Sequence, residues 1–169
     1  PMPGVDRKGV FTFTTLDDAK KLAQALKPGD RVVVIGGGLI GISVAKPLAK
    51  LGTHVIMVEL KDRVLSTVLD KETSRMVEER LAANGVELIT GQSVQEVLGS
   101  PFDQSTVGGV RLQDGRQIQC SVVIVAIGVT PRLDLVRNTG IVINRGVVVD
   151  RHMTTSHPDV YACGDVAEA

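Results

Sequence analysis

The amino-acid sequence predicts an α/β fold, in which a Rossmann-like parallel sheet is flanked by helices and carries an inserted three-stranded antiparallel β-meander. The first observation is a glycine-rich segment, residues 36–41, between the apolar run 32–35 and a segment with helical periodicity. The second is Glu59, which ends the next apolar run 18 residues after Gly41 (59 − 41 = 18). The third is a change to alternating polar and apolar residues after residue 92. Strand, glycine turn, helix, strand and acid in this order are typical of a dinucleotide-binding unit.

The composition limits the possible partners. With 169 residues, 43% of them hydrophobic, the chain is large enough for a domain with its own core. The formal net charge is zero and aromatic residues make up 2%, so we expect no nucleic-acid partner. The uncharged, glycine-interrupted stretch of residues 32–45 is shorter than the roughly 18 apolar residues of a membrane span, so no span is expected. Two distant cysteines, Cys120 and Cys163, form no CxxC pair, and with no visible signal peptide they favour a cytoplasmic location.

The first half of the chain alternates between strand and helix patterns. Residues 1–13 are rich in Pro, Gly and Thr and are interpreted as a linker, after which Thr14 or Thr15 caps a helix. The predicted elements that follow are a strand at 32–35, a helix at 39–51, a strand at 54–58, a helix at 70–83 and a strand at 86–89. This β-α-β-α-β order predicts a parallel sheet with right-handed crossovers. Pro47 lies inside the helix at 39–51, and we expect it to kink that helix.

The second half begins with the predicted meander. Its three strands are expected at residues 93–98, 107–112 and 116–120, with Asp114-Gly115 as a hairpin turn. The apolar residues 122–126 are predicted to return to the parallel sheet. Further short strands are expected at 142–143, 147–149 and 160–162.

The glycine segment supplies what a pyrophosphate needs. Gly36 permits the tight turn out of the strand, Gly38 lets the ligand approach the backbone, and Gly41 lets helix and strand pack closely. The free N–H groups where the helix begins, at Leu39 and Ile40, are expected to bind the two phosphates.

Glu59 is expected to determine whether NAD or NADP is preferred. A carboxylate at the end of the second strand accepts hydrogen bonds from ribose hydroxyls and repels a 2′-phosphate, so NAD is favoured over NADP. The three histidines (His54, His152 and His157) have no metal or triad spacing around them. The sequence therefore predicts neither a metal site nor a catalytic residue within this chain.

Three segments together resemble the pyridine nucleotide-disulfide oxidoreductase family, which are flavoproteins with two dinucleotide-binding domains. They are residues 32–41 followed by Val58-Glu59, residues 123–128 with Pro131, and residues 160–165. The resemblance implies an NAD(H)-binding domain inserted in an FAD-binding domain. It assigns to NAD the residues Gly36, Gly38, Gly41, Glu59, Val94 and Gly128, with Val94 lining the adenine pocket, and it assigns Asp165 to FAD.

The resemblance also implies the domain organisation and the reaction. Residues 1–13 would be a linker from a missing FAD domain, 14–149 the NAD(H)-binding domain, and 150–169 the start of the returning FAD-domain segment. In the full-length enzyme NADH would pass a hydride to the flavin, whereas the fragment alone is expected to be inactive.

Two departures from the family pattern matter. Ser43 stands where members often carry a Glu that reaches toward the nicotinamide. The chain also has a single glycine turn of this kind, so we expect it to bind no FAD. The electron acceptor and a homo-oligomeric state are left open, as are two other functions. One is a stand-alone NAD-sensing module without turnover, and the other is an S-adenosylmethionine enzyme, which the three-glycine spacing and the meander disfavour.

Overall fold

The computed structural model describes residues 2–169, which form two compact units. The first unit ends at Gly128, and the second is Val129–Ala169. Leu133, Val147 and Val149 form a small core of the second unit with residues that follow them, among them Ala162 and Val166. The domain bounds expected from the sequence, with the NAD(H)-binding domain ending at residue 149, stay a prediction.

The described part of the first unit, residues 2–128, contains three helices and eight strands. In chain order they are β1 (Val10–Thr12), α1 (Leu16–Ala25), β2 (Arg31–Ile35), α2 (Leu39–Lys50), β3 (His54–Glu59), α3 (Lys71–Ala82), β4 (Val86–Thr90), β5 (Val94–Gly99), β6 (Val107–Leu112), β7 (Gln117–Gln119) and β8 (Val122–Val125). Strands β1, β8, β2, β3 and β4 form one parallel sheet in that order. Strands β5, β6 and β7 form the antiparallel meander. The predicted fold class is therefore confirmed.

The segment 1–13, interpreted from sequence as a linker, contains a strand. β1 extends the parallel sheet, with Val10, Phe11 and Thr12 in register with the three residues of β8 that start at Val123. The Val123 N–H also bonds to Gly9 O at 2.9 Å. A strand of three residues is too short to produce a recognisable alternation, and its pairing with β8 is a long-range contact that local sequence does not reveal.

The helices begin where their capping residues predict. Thr15 caps α1 through a reciprocal capping box with Asp18, and the Asp70 side chain caps α3 by accepting from the Thr73 N–H at 2.8 Å. Helix α2 continues through Pro47 to Lys50, and the expected kink stays a prediction.

The parallel sheet is buried on both faces, so its strands are apolar throughout. Val32 and Val34 of β2 belong to a core that α2 shares, whereas Val33 and Ile35 belong to a second core shared with the meander. This arrangement leaves the carboxyl ends of β2, β3 and β8 as the edge where loops meet, which is the usual place for a ligand in such sheets.

The second unit has little regular structure. β9 (Val147–Val148) and β10 (Ala167–Glu168) form a parallel pair, and a 3-10 turn at Gly164–Val166 precedes β10. The strands expected at 142–143 and 160–162 are reduced to single bridges, Ile143 with Val147 and Thr154 with Tyr161. Turn residues flank both segments, so each pairs over one residue only.

Two absences apply to residues 2–169. No helix there combines the length and the apolar character needed to cross a bilayer. No group of three or more His, Cys, Asp or Glu side chains is arranged to hold a metal ion. Cys120 and Cys163 are both free, the first buried and the second exposed.

Candidate functional site

The glycine turn after β2 is too tight for a side chain. Gly36 has a φ of +108°, and a Cβ added there would lie 2.5 Å from Ala126 O. Its N–H donates to Val58 O at 2.8 Å, which ties the turn to the end of β3. The turn therefore lies between the ends of β3 and β8, and only glycine meets both its φ and its clearance.

Helix α2 presents free N–H groups at its start. Gly38 is the N-cap without a side-chain cap, and the first N–H to bond back is that of Ile42, to Gly38 O at 3.0 Å. Among the hydrogen bonds of residues 2–169, none is donated by the N–H of Gly38, Leu39 or Ile40. A Cβ added to Gly38 would meet no atom within 4 Å, so the space over these donors is open. Free donors and the positive end of a helix dipole are suited to an anion.

The third glycine brings α2 against the turn. A Cβ on the buried Gly41 would overlap the Gly36 carbonyl oxygen, so no side chain fits between them. Ile40 packs partly against the core on the helix side, whereas Leu39 is 66% exposed beside the open space.

Glu59 turns back toward the glycine segment. One carboxylate oxygen, Oε2, accepts from the Gly37 N–H, and the other, Oε1, accepts from the Lys61 N–H at 2.7 Å. The half-buried side chain thus lies at the rim of the same turn, with lone pairs left on both oxygens for further donors. Gly37 was not singled out from sequence, although two adjacent small residues within a turn are the signal that a neighbour approaches closely.

The loops after β4 and β8 border this edge. The Gln92 N–H donates to Glu59 O at 3.1 Å, and the Gly91 N–H donates to Lys61 O at 2.8 Å. Val94, expected from the resemblance to line an adenine pocket, begins β5 immediately afterwards and is 9% exposed within the core on the meander side. Gly128 ends the first unit with a φ of +114° and is exposed.

Two polar side-chain atoms near the rim have no partner. Among the described residues the buried side-chain atoms without a hydrogen bond are Arg63 Nε and Gln92 Oε1. One lies four residues after Glu59, and the other is in the residue that bonds to the Glu59 backbone. Buried polar groups are normally paired, so these two atoms are exceptions among the described residues.

Asp165 lies in the second unit. It is exposed within the 3-10 turn Gly164–Val166, and Gly164 adopts a φ of +77°. The structure thus brings Gly36, Gly38, Gly41 and Glu59 together in the first unit, whereas Asp165 belongs to a different one.

The buried cysteine is not arranged for redox chemistry. Burial raises the pKa of the Cys120 thiol to about 12, against a small opposing effect of Arg31. A thiol with this pKa is almost entirely protonated at neutral pH and is a poor nucleophile.

Comparison with known proteins supplies the family context. The model of a family described as pyridine nucleotide-disulphide oxidoreductase matches residues 1–169. The ferredoxin–NAD(+) reductase component of the biphenyl dioxygenase system of Paraburkholderia xenovorans is 40% identical over 164 residues, which are 97% of this chain and 39% of the relative. The chain thus spans well under half the length of this relative.

Solved structures of similar proteins agree with this family match. The ferredoxin reductase for the CYP199A2 system of Rhodopseudomonas palustris superposes with a TM-score of 0.90 at 32% identity, covering 98% of this chain and 40% of that one. The water-forming NADH oxidase from Lactobacillus brevis, solved bound to NADH, has a TM-score of 0.85 at 25% identity, covering 99% and 36%. Another relative is described as FAD-dependent. The expected cofactor types, NAD(H) and FAD, are therefore confirmed for relatives of this chain.

Proposed function

Because the chain belongs to the pyridine nucleotide-disulphide oxidoreductase family, we propose that it is the NAD(H)-binding part of an FAD-dependent oxidoreductase. In the longer protein NADH would deliver a hydride to the flavin. The observation that carries the proposal is the uncapped start of α2, which faces open space beside the Glu59 carboxylate.

The pyrophosphate would bind at the start of α2. Its oxygens would accept hydrogen bonds from the N–H groups of Gly38, Leu39 and Ile40, which have no acceptor among the described residues. Hydrogen bonds to an anion are stronger than neutral ones, and the helix dipole adds to them.

Glu59 would recognise the ribose of the adenosine half. Its two bonds to backbone N–H groups fix the carboxylate at the rim, and its remaining lone pairs would accept from the two ribose hydroxyls. A 2′-phosphate would meet a fixed negative charge there, so we expect NADH to bind more tightly than NADPH. In this assignment Val94 supports the adenine side through its buried position, and Gly128 leaves room beside the nicotinamide half.

Among the described residues the first unit offers a single free helix start for a pyrophosphate, and NADH would occupy it. Side chains already cap two of the three helices of the first unit, α1 through Thr15 and α3 through Asp70, and only α2 is free. We therefore propose that FAD is held by parts of the longer protein and that Asp165 contributes one contact to it. By name one relative is a ferredoxin–NAD(+) reductase component and another is a water-forming NADH oxidase, so no electron acceptor is assigned. A reducing cytoplasmic location remains a prediction, which the two free cysteines support.

Calorimetric titration of the 169-residue chain tests the proposal. We expect saturable binding of NADH, weaker binding of NADPH, and no binding of FAD or S-adenosylmethionine. Stoichiometric FAD binding, or heat from S-adenosylmethionine alone, would contradict the assignment of the α2 start to NADH.

A further inference from the structure

The loop between β3 and α3, residues 60–69, packs on the glycine turn. The Leu65 N–H donates to Gly37 O at 2.9 Å. The Val64 side chain is fully buried, and a Cβ built on Gly37 would lie 3.0 Å from its Cγ1. This loop therefore contacts the one residue of the turn whose N–H bonds to Glu59.

Helix α3 fixes this loop through two side chains that lie one helical turn apart. Glu78 Oε1 accepts from the Val64 N–H at 3.1 Å, and the Ser74 Oγ hydroxyl donates to Val64 O at 2.9 Å. Ser74 is completely buried and Glu78 is half-buried, so neither bond is freely replaced by water. Both polar backbone groups of Val64 are thus bonded to α3.

The loop needs this support because part of it is strained. Leu65 has a φ of +51°, in the left-handed region that residues with a branched side chain rarely occupy. Such a conformation persists only when surrounding contacts impose it. Here the contacts are those of α3 to the adjacent Val64 and that of Leu65 itself to Gly37.

We propose that Ser74 and Glu78 are positioning residues for the coenzyme, and this inference rests on the NADH-binding function proposed above. They act through a series of contacts that runs from α3 to Val64 and Leu65, then to Gly37, and then to the Glu59 carboxylate. Neither residue is part of the glycine motif, and their effect on binding is exerted through the position of the turn and of Glu59. Loosening the loop should weaken the binding of the adenosine half of the coenzyme in particular.

The test compares variants of the 169-residue chain that differ at α3. Glu78→Ala removes the acceptor for Val64, whereas Glu78→Gln retains a carbonyl oxygen at that place. Glu79→Ala is the matched control, because the exposed Glu79 carboxylate forms an ion pair with Arg75 at 3.7 Å on the same helix. The affinities for NADH and for ADP-ribose are measured by calorimetry, and exchange of the Val64 and Leu65 amide hydrogens is measured in the free chain.

We expect Glu78→Ala to bind NADH and ADP-ribose about fivefold to tenfold more weakly, because losing one hydrogen bond lowers the fraction of the free chain that holds the loop and Glu59 in the binding position. Its Val64 and Leu65 amides should exchange faster. Glu78→Gln and Glu79→Ala should resemble the unmodified chain, and Ser74→Ala should resemble Glu78→Ala. If Ser74→Ala does not fold, the comparison of the two Glu78 variants decides.

Two failures are distinguishable. If the unmodified chain binds NADH and Glu78→Ala binds it equally well, the positioning role is refuted and the proposed function stands. Equal losses in Glu78→Ala and Glu79→Ala would also refute the role, since the effect would then be one of charge. If the unmodified chain binds neither NADH nor ADP-ribose, the proposed function is refuted and the positioning role with it.

Discussion

Gly38 is the residue of the glycine turn at which a substitution best tests coenzyme binding without disturbing the fold. Its φ of −81° and ψ of −173° are extended angles that every L-residue adopts, and a Cβ there meets nothing within 4 Å. We therefore predict that Gly38→Ala folds normally and binds NADH more weakly. Gly41→Ala is the contrasting variant, because its Cβ would overlap the Gly36 carbonyl.

The magnitudes follow from these environments. Alanine is a poorer N-cap than glycine, but it also reduces the entropy of the unfolded chain, so the net change in unfolding free energy should stay within about 0.5 kcal/mol. In the complex, the methyl group of Gly38→Ala would displace the phosphates from the α2 N–H groups. Losing one hydrogen bond to a charged group costs about 1.5–3 kcal/mol, or roughly a tenfold to hundredfold weaker affinity. Gly41→Ala should lose about 1–3 kcal/mol of stability by overpacking.

Thermal unfolding followed by circular dichroism and calorimetric titration with NADH are the two measurements. For a chain of this size, 1 kcal/mol corresponds to a change in Tm of about 2–4 °C. Gly38→Ala should therefore keep its Tm within about 2 °C, whereas Gly41→Ala should fall clearly below it. Undiminished NADH binding by a folded Gly38→Ala variant would refute the placement of the pyrophosphate, and its failure to fold would refute the open space over Gly38.

Two further predictions concern carboxylates. Glu59→Ala should narrow the preference for NADH over NADPH and lower the affinity for NADH about fivefold to tenfold, because both the ribose contact and the acceptor for the Gly37 N–H are lost. The two affinities are measured by calorimetry. An unchanged ratio between them would show that Glu59 does not select the coenzyme. The backbone N–H of Thr14, with further hydrogen bonds from its neighbours, lowers the pKa of Asp18 from 3.8 to about 2. The ionised Asp18 therefore stabilises the fold fully at pH values above its unfolded-state pKa, and this stabilisation is lost as the pH falls toward 2. When the urea midpoint of unfolding is plotted against pH, Asp18→Asn should show a smaller decrease between about pH 4 and pH 2. An acid limb as steep as that of the unmodified chain would show that this cap contributes nothing to acid stability.

The elements of the first unit were largely predictable because their signals are local. The apolar runs of β2, β3 and β8 mark strands buried on both faces, and capping residues mark the starts of α1 and α3. β1 was not predictable, since it is defined by its pairing with β8, more than one hundred residues away (123 − 10 = 113). The division after Gly128 depends on which apolar residues meet in space, and nothing local in the sequence shows that Leu133 packs with Val147.

The candidate site also has features that the sequence predicts and features that it does not. The sequence singled out Gly36, Gly38, Gly41 and Glu59 as candidates, because a turn of fixed geometry requires particular residue types at fixed spacing. Their contacts with a coenzyme stay a prediction. It contained no signal for the bond of Gly37 to Glu59, since nothing local indicates where a carboxylate turns.

The sequence by itself determined that a glycine turn opens α2 and that an acid follows the next strand, because backbone angles and short-range spacing are properties of the chain alone. Only the tertiary structure decided that the acid turns back onto the turn, and that Ser74 and Glu78 fasten the intervening loop over it. Those contacts join residues from separate elements, and packing of α3 against the sheet sets their distances.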